Sequence, residues 1–454
     1  MERNDAILLR SLERVTMKLT KLATVVSCVC VLAMLTACGG TSGGPASPAA
    51  SGDLTGTIQL WHHWSDREAQ DIQDAVTAFE AAHPGINVTV HDNQDDTKIA
   101  QVAASGSDVD VMMISVNNTL GTMCKAMVDL QPYMTQDGIS ADDFQGMIAD
   151  ATAFDGKRCS LPTTTDVYGL YYNTDMFQKA GITSPPQTLD ELEADGLALT
   201  TYNADGSIDT LGFNPLIGFQ ENYSGTFAAT ANVTWMTNGQ SSIASDPNWT
   251  ALFNWQKAYV DKIGYDKLET FTAGLGDEWD ADNPFQTGKI AMVMDGEWRV
   301  AFIQDQVPDL NFATAPFPVL SGTGATYGAA FTDGACIGIS SNSKHQDLAW
   351  QLVKWIAADT DTAVTLANGL KNIPSLKAAA DSPNLDVPEQ YKTFVDASKS
   401  GLVTTSPITL LGGDYTTPLD NFWDTYQQSD GSGLADGLAQ ADQDINNALE
   451  LRSA

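Results

Sequence analysis

The sequence predicts an α/β fold built around a doubly wound parallel sheet, and three observations carry that prediction. From Thr57 to Ile114 the apolar pattern alternates strand, helix, strand, helix, strand, as βαβ units require. Val109 to Ile114 is an almost unbroken apolar run, the mark of a strand covered on both faces. Hydrophobic residues make up 43% of the 454 positions, with ten tryptophans, so the chain packs a real core. Its length suits roughly two to three domain-sized units.

In chain order, Thr57-Ile58-Gln59-Leu60-Trp61 alternates as a strand, and a polar loop runs from His62 to Asp66. Ile72, Val76 and Phe79 then recur at helical spacing until Pro84-Gly85 stops the helix. Ile86 to Val90 alternates again, and Asp95 to Ala104 is helical up to Gly106. Further on, Tyr168 to Tyr172, Ile290 to Met294 and Ala335 to Ile339 read as strands. Thr188 to Leu199, Asn248 to Val260, Gln346 to Ala357 and the residues after Asp420 read as helices. No repeat of solenoid period is visible.

The N-terminal region speaks about location. Lys18 and Lys21 precede an uncharged apolar run from Leu22 to Thr36, and Leu35-Thr36-Ala37-Cys38 leads into Gly39-Gly40. This resembles a bacterial lipoprotein signal over residues 1–37, in which Cys38 is acylated and becomes the mature N-terminus. The run is shorter than the roughly 20 residues a spanning helix needs. Met17 is the natural start of such a signal, because residues 1–16 carry mixed charges. Residues 38–53, rich in Gly, Ser and Pro, form a flexible tether. The protein is expected on the outer face of the cell membrane, held by lipid alone.

A formal charge of −34 repels nucleic acid and anionic headgroups, so neither is an expected partner. With Cys28 and Cys30 in the leader and Cys38 lipidated, only Cys124, Cys159 and Cys336 remain. Cys124 and Cys159 are nearest in sequence and form the natural pair outside the membrane; whether they bond stays open at this point. Neither these cysteines nor the five histidines have metal-ligand spacing, and no cofactor is expected.

The order of motifs resembles one family, the carbohydrate-binding group of extracellular solute-binding proteins that serve ATP-binding-cassette importers. The stretches that carry the resemblance are Ile58-Gln59-Leu60-Trp61, Ala81-Ala82-His83-Pro84-Gly85-Ile86, Gly169-Leu170-Tyr171-Tyr172-Asn173, Phe285-Gln286-Thr287-Gly288-Lys289 and Gly296-Glu297-Trp298. The resemblance implies two α/β lobes joined by a multi-crossing hinge, with ligand in the cleft. Lobe one is expected to hold 54–164 and 317–360, and lobe two 165–316 and 361–454. Pro162-Thr163-Thr164-Thr165 and Pro316-Phe317-Pro318 then fall at crossings. The implied partners are a carbohydrate and the importer's permease subunits, and the implied state is a monomer.

A sugar needs flat rings for its C–H faces and short polar groups for its hydroxyls. Trp64 follows the first strand at its C-terminal end, where α/β sheets place ligands. Asp96 opens a helix, where a carboxylate also suits the dipole, and Asn117 follows the buried strand. The resemblance adds Asp166 and Tyr168 at the first crossing, Tyr223 as a stacking ring, Trp298 as the ring under a pyranose, and Trp423 as a late aromatic. Two functions remain in play: a binding protein without catalytic activity, or a surface glycoside hydrolase using a carboxylate pair. Peptides and polyamines are the alternative ligands.

Overall fold

A computed structural model describes residues 54–453 apart from position 107. The leader, Cys38 and the tether lie outside the described residues. Strand β1 (Gly56–His62) leads into helix α1 (Asp66–Ala82). The helix opens with Asp66 and Glu68 at its positive end and buries Ile72, Val76 and Phe79 on one stripe. Then come β2 (Ile86–His91), α2 (Asp96–Ala104), β3 (Val111–Ser115) and α3 (Val116–Met123). Asp95 caps α2 by accepting the Lys98 N–H at 2.8 Å. β1 pairs parallel with both β2 and β3, and Val111 to Ile114 are buried on both faces.

The first crossing is Thr163, between β4 (Ser160–Pro162) and β5 (Thr164–Asn173). Beyond it lie α4 (Leu189–Leu199), β6 (Thr201–Tyr202), β7 (Ile208–Phe213), α5 (Pro247–Ile263), β8 (Ile290–Gly296), α6 (Arg299–Gln306), β9 (Phe312–Ala315) and β10 (Ala330–Asp333). The chain then returns as β11 (Ala335–Ile339), α7 (Gln346–Ala358) and α8 (Thr360–Leu370). Further elements include β12 (Ile373–Pro374), α9 (Glu389–Lys399), β13 (Val403–Thr404), α10 (Thr417–Gln428) and α11 (Leu434–Ser453).

These strands make two main sheets, one per lobe, ordered β2-β1-β3-β11-β4 and β13-β10-β5-β8-β7-β6. β9 and β12 also pair with β5. Each sheet has its own core: Ile58, Phe79, Val111 and Trp350 in lobe one, and Tyr171, Phe213, Trp249 and Trp423 in lobe two. Among the described residues no helix is long and apolar enough to cross a membrane.

Two expected boundaries move. Pro316-Phe317-Pro318 does not lie at a crossing, because Phe317 is buried in the lobe-two core against Phe213 and Phe227. The second crossing is Gly334, where β10 ends in one sheet and β11 begins in the other. Lobe one also keeps residues past 360, since Val364, Leu366 and Leu370 of α8 join its core. Asn372–Ser375 touches the hinge, with Ile373 and Pro374 paired to Thr165 and Thr164. The third crossing follows Leu376 and Ala379, which still belong to the lobe-one core, ahead of Tyr391 in the lobe-two core.

The segments at the hinge are bound together. Thr163 N–H donates to Ala335 O at 2.8 Å, Ser375 N–H to Thr163 O at 3.1 Å, and Thr165 and Ser375 share a hydroxyl bond of 2.8 Å. A Cβ on Gly334 would fall 2.2 Å from Thr164 O, so only glycine allows this approach. A hinge of this kind confines the lobe movement to a few backbone torsions.

Candidate ligand-binding cleft

A cavity of about 380 Å³ opens where the crossings meet both lobes, within the usual range of small-molecule sites. Asn117 reaches it from α3 of lobe one, and Tyr168, Glu221, Tyr223, Phe331, Ser406 and Asp420 reach it from lobe two. Asp333, at the second crossing, completes the polar rim.

Three rings form one wall. Tyr168 meets Tyr223 at 89° and Phe331 at a centroid distance of 5.4 Å, and Tyr223 meets Phe331 at 90°. The Tyr223 hydroxyl donates to that of Tyr168 at 3.2 Å. Edge-to-face contacts of this sort fix ring positions. Trp298 stands behind Tyr168 at 5.4 Å and 89°.

The polar groups are held just as firmly. Asn117 is 8% exposed and its Oδ1 accepts the Thr405 hydroxyl at 2.9 Å, a bond from lobe two to lobe one. Its Nδ2 has no partner among the described residues, and the same holds for Trp298 Nε1. Two buried donors without acceptors are costly unless something else supplies the acceptor.

Carboxyl groups dominate the electrostatics. Burial, and then Asp166 across the strand pair, push Asp333 up to about 7. Burial also raises Asp166 and lifts Glu297 well above the ordinary range, the latter helped by Asp166. Asn372 Nδ2 ties these two together, donating to Asp166 at 2.7 Å and to Glu297 at 3.0 Å. On the far side, Glu221, Glu278 and Asp295 each bring an oxygen within 4.8 Å of the others. Burial and Glu278 raise Glu221 well above its usual value, and burial with Asp295 pushes Glu278 to about 7. Arg299, fully buried, already serves this group: its Nε binds Asp295 at 2.6 Å and its Nη2 lies 3.6 Å from Glu278. The carboxylates thus have a resident counter-ion.

A second cavity, of about 860 Å³, lies between His63, Asp96, Ser115 and Thr119 of lobe one and Leu411, Asp414 and Arg452 of lobe two. Gly413 lines both cavities. Asp96 is bound there by Ser115 N–H at 3.0 Å and by His63 Nδ1 at 3.2 Å.

Of the residues singled out in the sequence, Asn117, Tyr168 and Tyr223 meet in the first cavity, Asp96 lines the second, Asp166 lies behind Asp333, and Trp298 backs Tyr168. Two go elsewhere. Trp423 is fully buried in lobe two, stacked on Phe253 at 4.0 Å, with its Nε1 donating to Gln256 at 3.2 Å; it is a core residue. Trp64 packs into the lobe-one core beside His63 at 4.2 Å. Cys124 and Cys159 are bonded, with Cα atoms 5.3 Å apart, and Cys336 is a buried thiol. Phe331, Asp333, Ser406 and Asp420 escaped the sequence reading. Only Asp333-Gly334, a polar break before an apolar strand, carried a local signal.

Two doubly wound lobes, a three-crossing hinge and a cavity between them define a binding protein that encloses a small solute. The chain belongs to the bacterial extracellular solute-binding proteins, whose family profile matches residues 74–393. It is 25% identical over 354 residues to the maltooligosaccharide ABC transporter solute-binding lipoprotein of Streptococcus pneumoniae serotype 4, covering 75% of this chain and 77% of that one. Among solved structures it is similar to CpMnBP1 with mannotriose bound, with a TM-score of 0.76 at 24% identity over 86% of this chain and 99% of the other. The sugar-binding protein MalE of Xanthomonas citri gives a TM-score of 0.68 at 19% identity, over 88% of this chain and 98% of that one. At these identities the structural likeness speaks for the fold.

Proposed function

We propose that this protein captures a sugar or short oligosaccharide between its lobes outside the cytoplasmic membrane and delivers it to the permease of an ABC importer. Lipid on Cys38 would keep it at the membrane surface, and it works as a monomer. The observation that supports the sugar reading best is the composition of the cavity: Tyr168, Tyr223 and Phe331 on one wall, with Asn117, whose Nδ2 has no partner among the described residues, beside them. Rings suit the C–H faces of a pyranose, and buried donors suit its oxygens. Asp96 in the neighbouring cavity would serve further sugar units, and Asp166 would orient the rim through Asp333.

The test is a thermal-shift screen of the mature protein against a panel of mono- to trisaccharides, with titration calorimetry on the hits. A ligand that binds only the folded state raises Tm by mass action. Sugars that leave Tm unmoved, while peptides or polyamines raise it, would overturn the reading. The hydrolase alternative, which would need a working carboxylate pair, is tested separately. Chromatography of a bound oligosaccharide after long incubation should return it intact.

A further inference from the structure

The first cavity holds ionisable groups of one kind and no cation, and burial without a counter-charge raises all of its carboxyls above their ordinary values. Three of its lining side chains are carboxylic acids, Glu221, Asp333 and Asp420, and none is Lys, Arg or His. The nearest guanidinium, Arg299, is held by Asp295 and Glu278, so little of its charge is left for Glu221. A ligand that seats here meets an acidic wall opposite an aromatic one.

A second observation is independent of the acids. Asn117 is more than nine-tenths buried, lines the same cavity, and has no partner for Nδ2. An amide N–H without a partner calls for an acceptor oxygen on the ligand. The cavity therefore asks for positive charge and for oxygen acceptors at once.

Four ligand chemistries can be weighed against those demands. A uronic acid or sugar phosphate brings an anion into a desolvated space that has no cation to meet it, which is strongly unfavourable. A neutral sugar supplies oxygens and hydrogen bonds but leaves the acidic wall without a counter-charge. A polyamine supplies charge but no acceptor for Asn117. A sugar bearing a protonated amine supplies both, and its ammonium also gains from the faces of Tyr168 and Tyr223.

We propose that this cavity selects an amino sugar, with the ammonium held by Glu221 and its carboxyl neighbours, a ring oxygen or hydroxyl accepting from Asn117 Nδ2, and uronic and phosphorylated sugars excluded. The inference rests on the sugar reading above and narrows it.

The test is calorimetry on the mature protein near neutral pH with matched series of gluco-, galacto- and manno-configured mono- to trisaccharides. Each series contains the free amine, its N-acetyl form, the neutral sugar and the uronate. The free amine should bind about tenfold or more tighter than its neutral and N-acetyl counterparts, the range of a charge-assisted contact. Its affinity should fall with added salt while that of the neutral sugar holds. Glu221→Gln should erase most of the preference for the amine, and because the salt dependence is measured on the unaltered protein, the test does not depend on that variant folding. A neutral sugar that equals its amine, or a uronate that binds, overturns the inference and leaves the sugar reading standing. If no member of any series binds, both fall.

Discussion

Asp333 Oδ1 accepts the backbone N–H of Asn117 at 3.2 Å, and the two residues belong to different parts of the machine. Asp333 ends the last strand of lobe two before the second crossing, while Asn117 opens α3 in lobe one. Ser115 Oγ and the Gly334 N–H also donate to Asp333, at 3.3 and 2.8 Å. A hinge carboxyl thereby fixes the lobe-one amide that faces the cavity, so the state of one governs the placement of the other.

That carboxyl predicts a pH dependence. Asp333 moves from 3.8 to about 7 on folding, chiefly through burial and then through Asp166. Between those values the folded protein binds more protons than the unfolded chain, so stability falls as pH rises through the window. Burial shifts Glu278 in the same direction. The Tm of the ligand-free protein should therefore drop by several degrees between mildly acidic and slightly alkaline pH. Asp333→Asn, which keeps an oxygen for the Asn117 and Gly334 amides, should remove part of the drop. Calorimetric scans of both proteins across that range decide it, and equal slopes would refute the assignment.

Closure should depend on Gly121. A Cβ there would lie 1.8 Å from the carbonyl oxygen of Thr409, so lobe two can approach α3 only if residue 121 has no side chain. In an isolated helix Gly→Ala gains about 1 kcal/mol, but at this contact it overpacks the interface by about 1–3 kcal/mol. Gly121→Ala should weaken ligand binding roughly five- to a hundredfold without lowering the ligand-free Tm. Scattering with saturating ligand should show a larger radius of gyration than the unaltered protein gives.

The Cys124–Cys159 bond closes a loop with a sequence separation of 35, worth about 3–4 kcal/mol on the chain-entropy account. Replacing both cysteines with serine should lower unfolding free energy by about that amount. Thiol titration of the denatured soluble chain, cut after Cys38, should find Cys336 alone before reduction and all three thiols after it.

Much of this fold was legible because its elements are strongly periodic. The strand Ala335–Ile339 and the helix starting at Gln346 begin where their apolar patterns begin. The second crossing was not legible, because Pro316-Phe317-Pro318 has the chemistry of a turn while Phe317 acts as a core anchor. Trp423 could have been placed from spacing: Leu419, Trp423 and Tyr426 form one buried stripe of α10. The cavity was only half readable. Asp333 and Asn117 are 216 positions apart, and Ser406 and Asp420 come from a third segment, so no local pattern marks them as neighbours. Tertiary closure alone brings them together.

Trp298 offers the sharpest division between packing and recognition. Its ring covers the backbone of Gly296, where an added Cβ would meet indole carbons at 2.2 Å, and its edge supports Tyr168. The side chain is 9% exposed, so Trp298→Ala removes a packed ring and should cost about 3–5 kcal/mol of stability whatever the ligand does. That variant alone cannot assign a role. Trp298→Phe keeps most of the ring against Tyr168 but removes Nε1, the donor that has no acceptor among the described residues. If that nitrogen serves the ligand, Trp298→Phe should lower affinity about two- to tenfold, the range of one neutral hydrogen bond. The loss should come with a far smaller drop in ligand-free Tm than Trp298→Ala produces. Unchanged affinity in Trp298→Phe would make the indole a buttress for Tyr168 and leave recognition to the rings and amide that line the cavity.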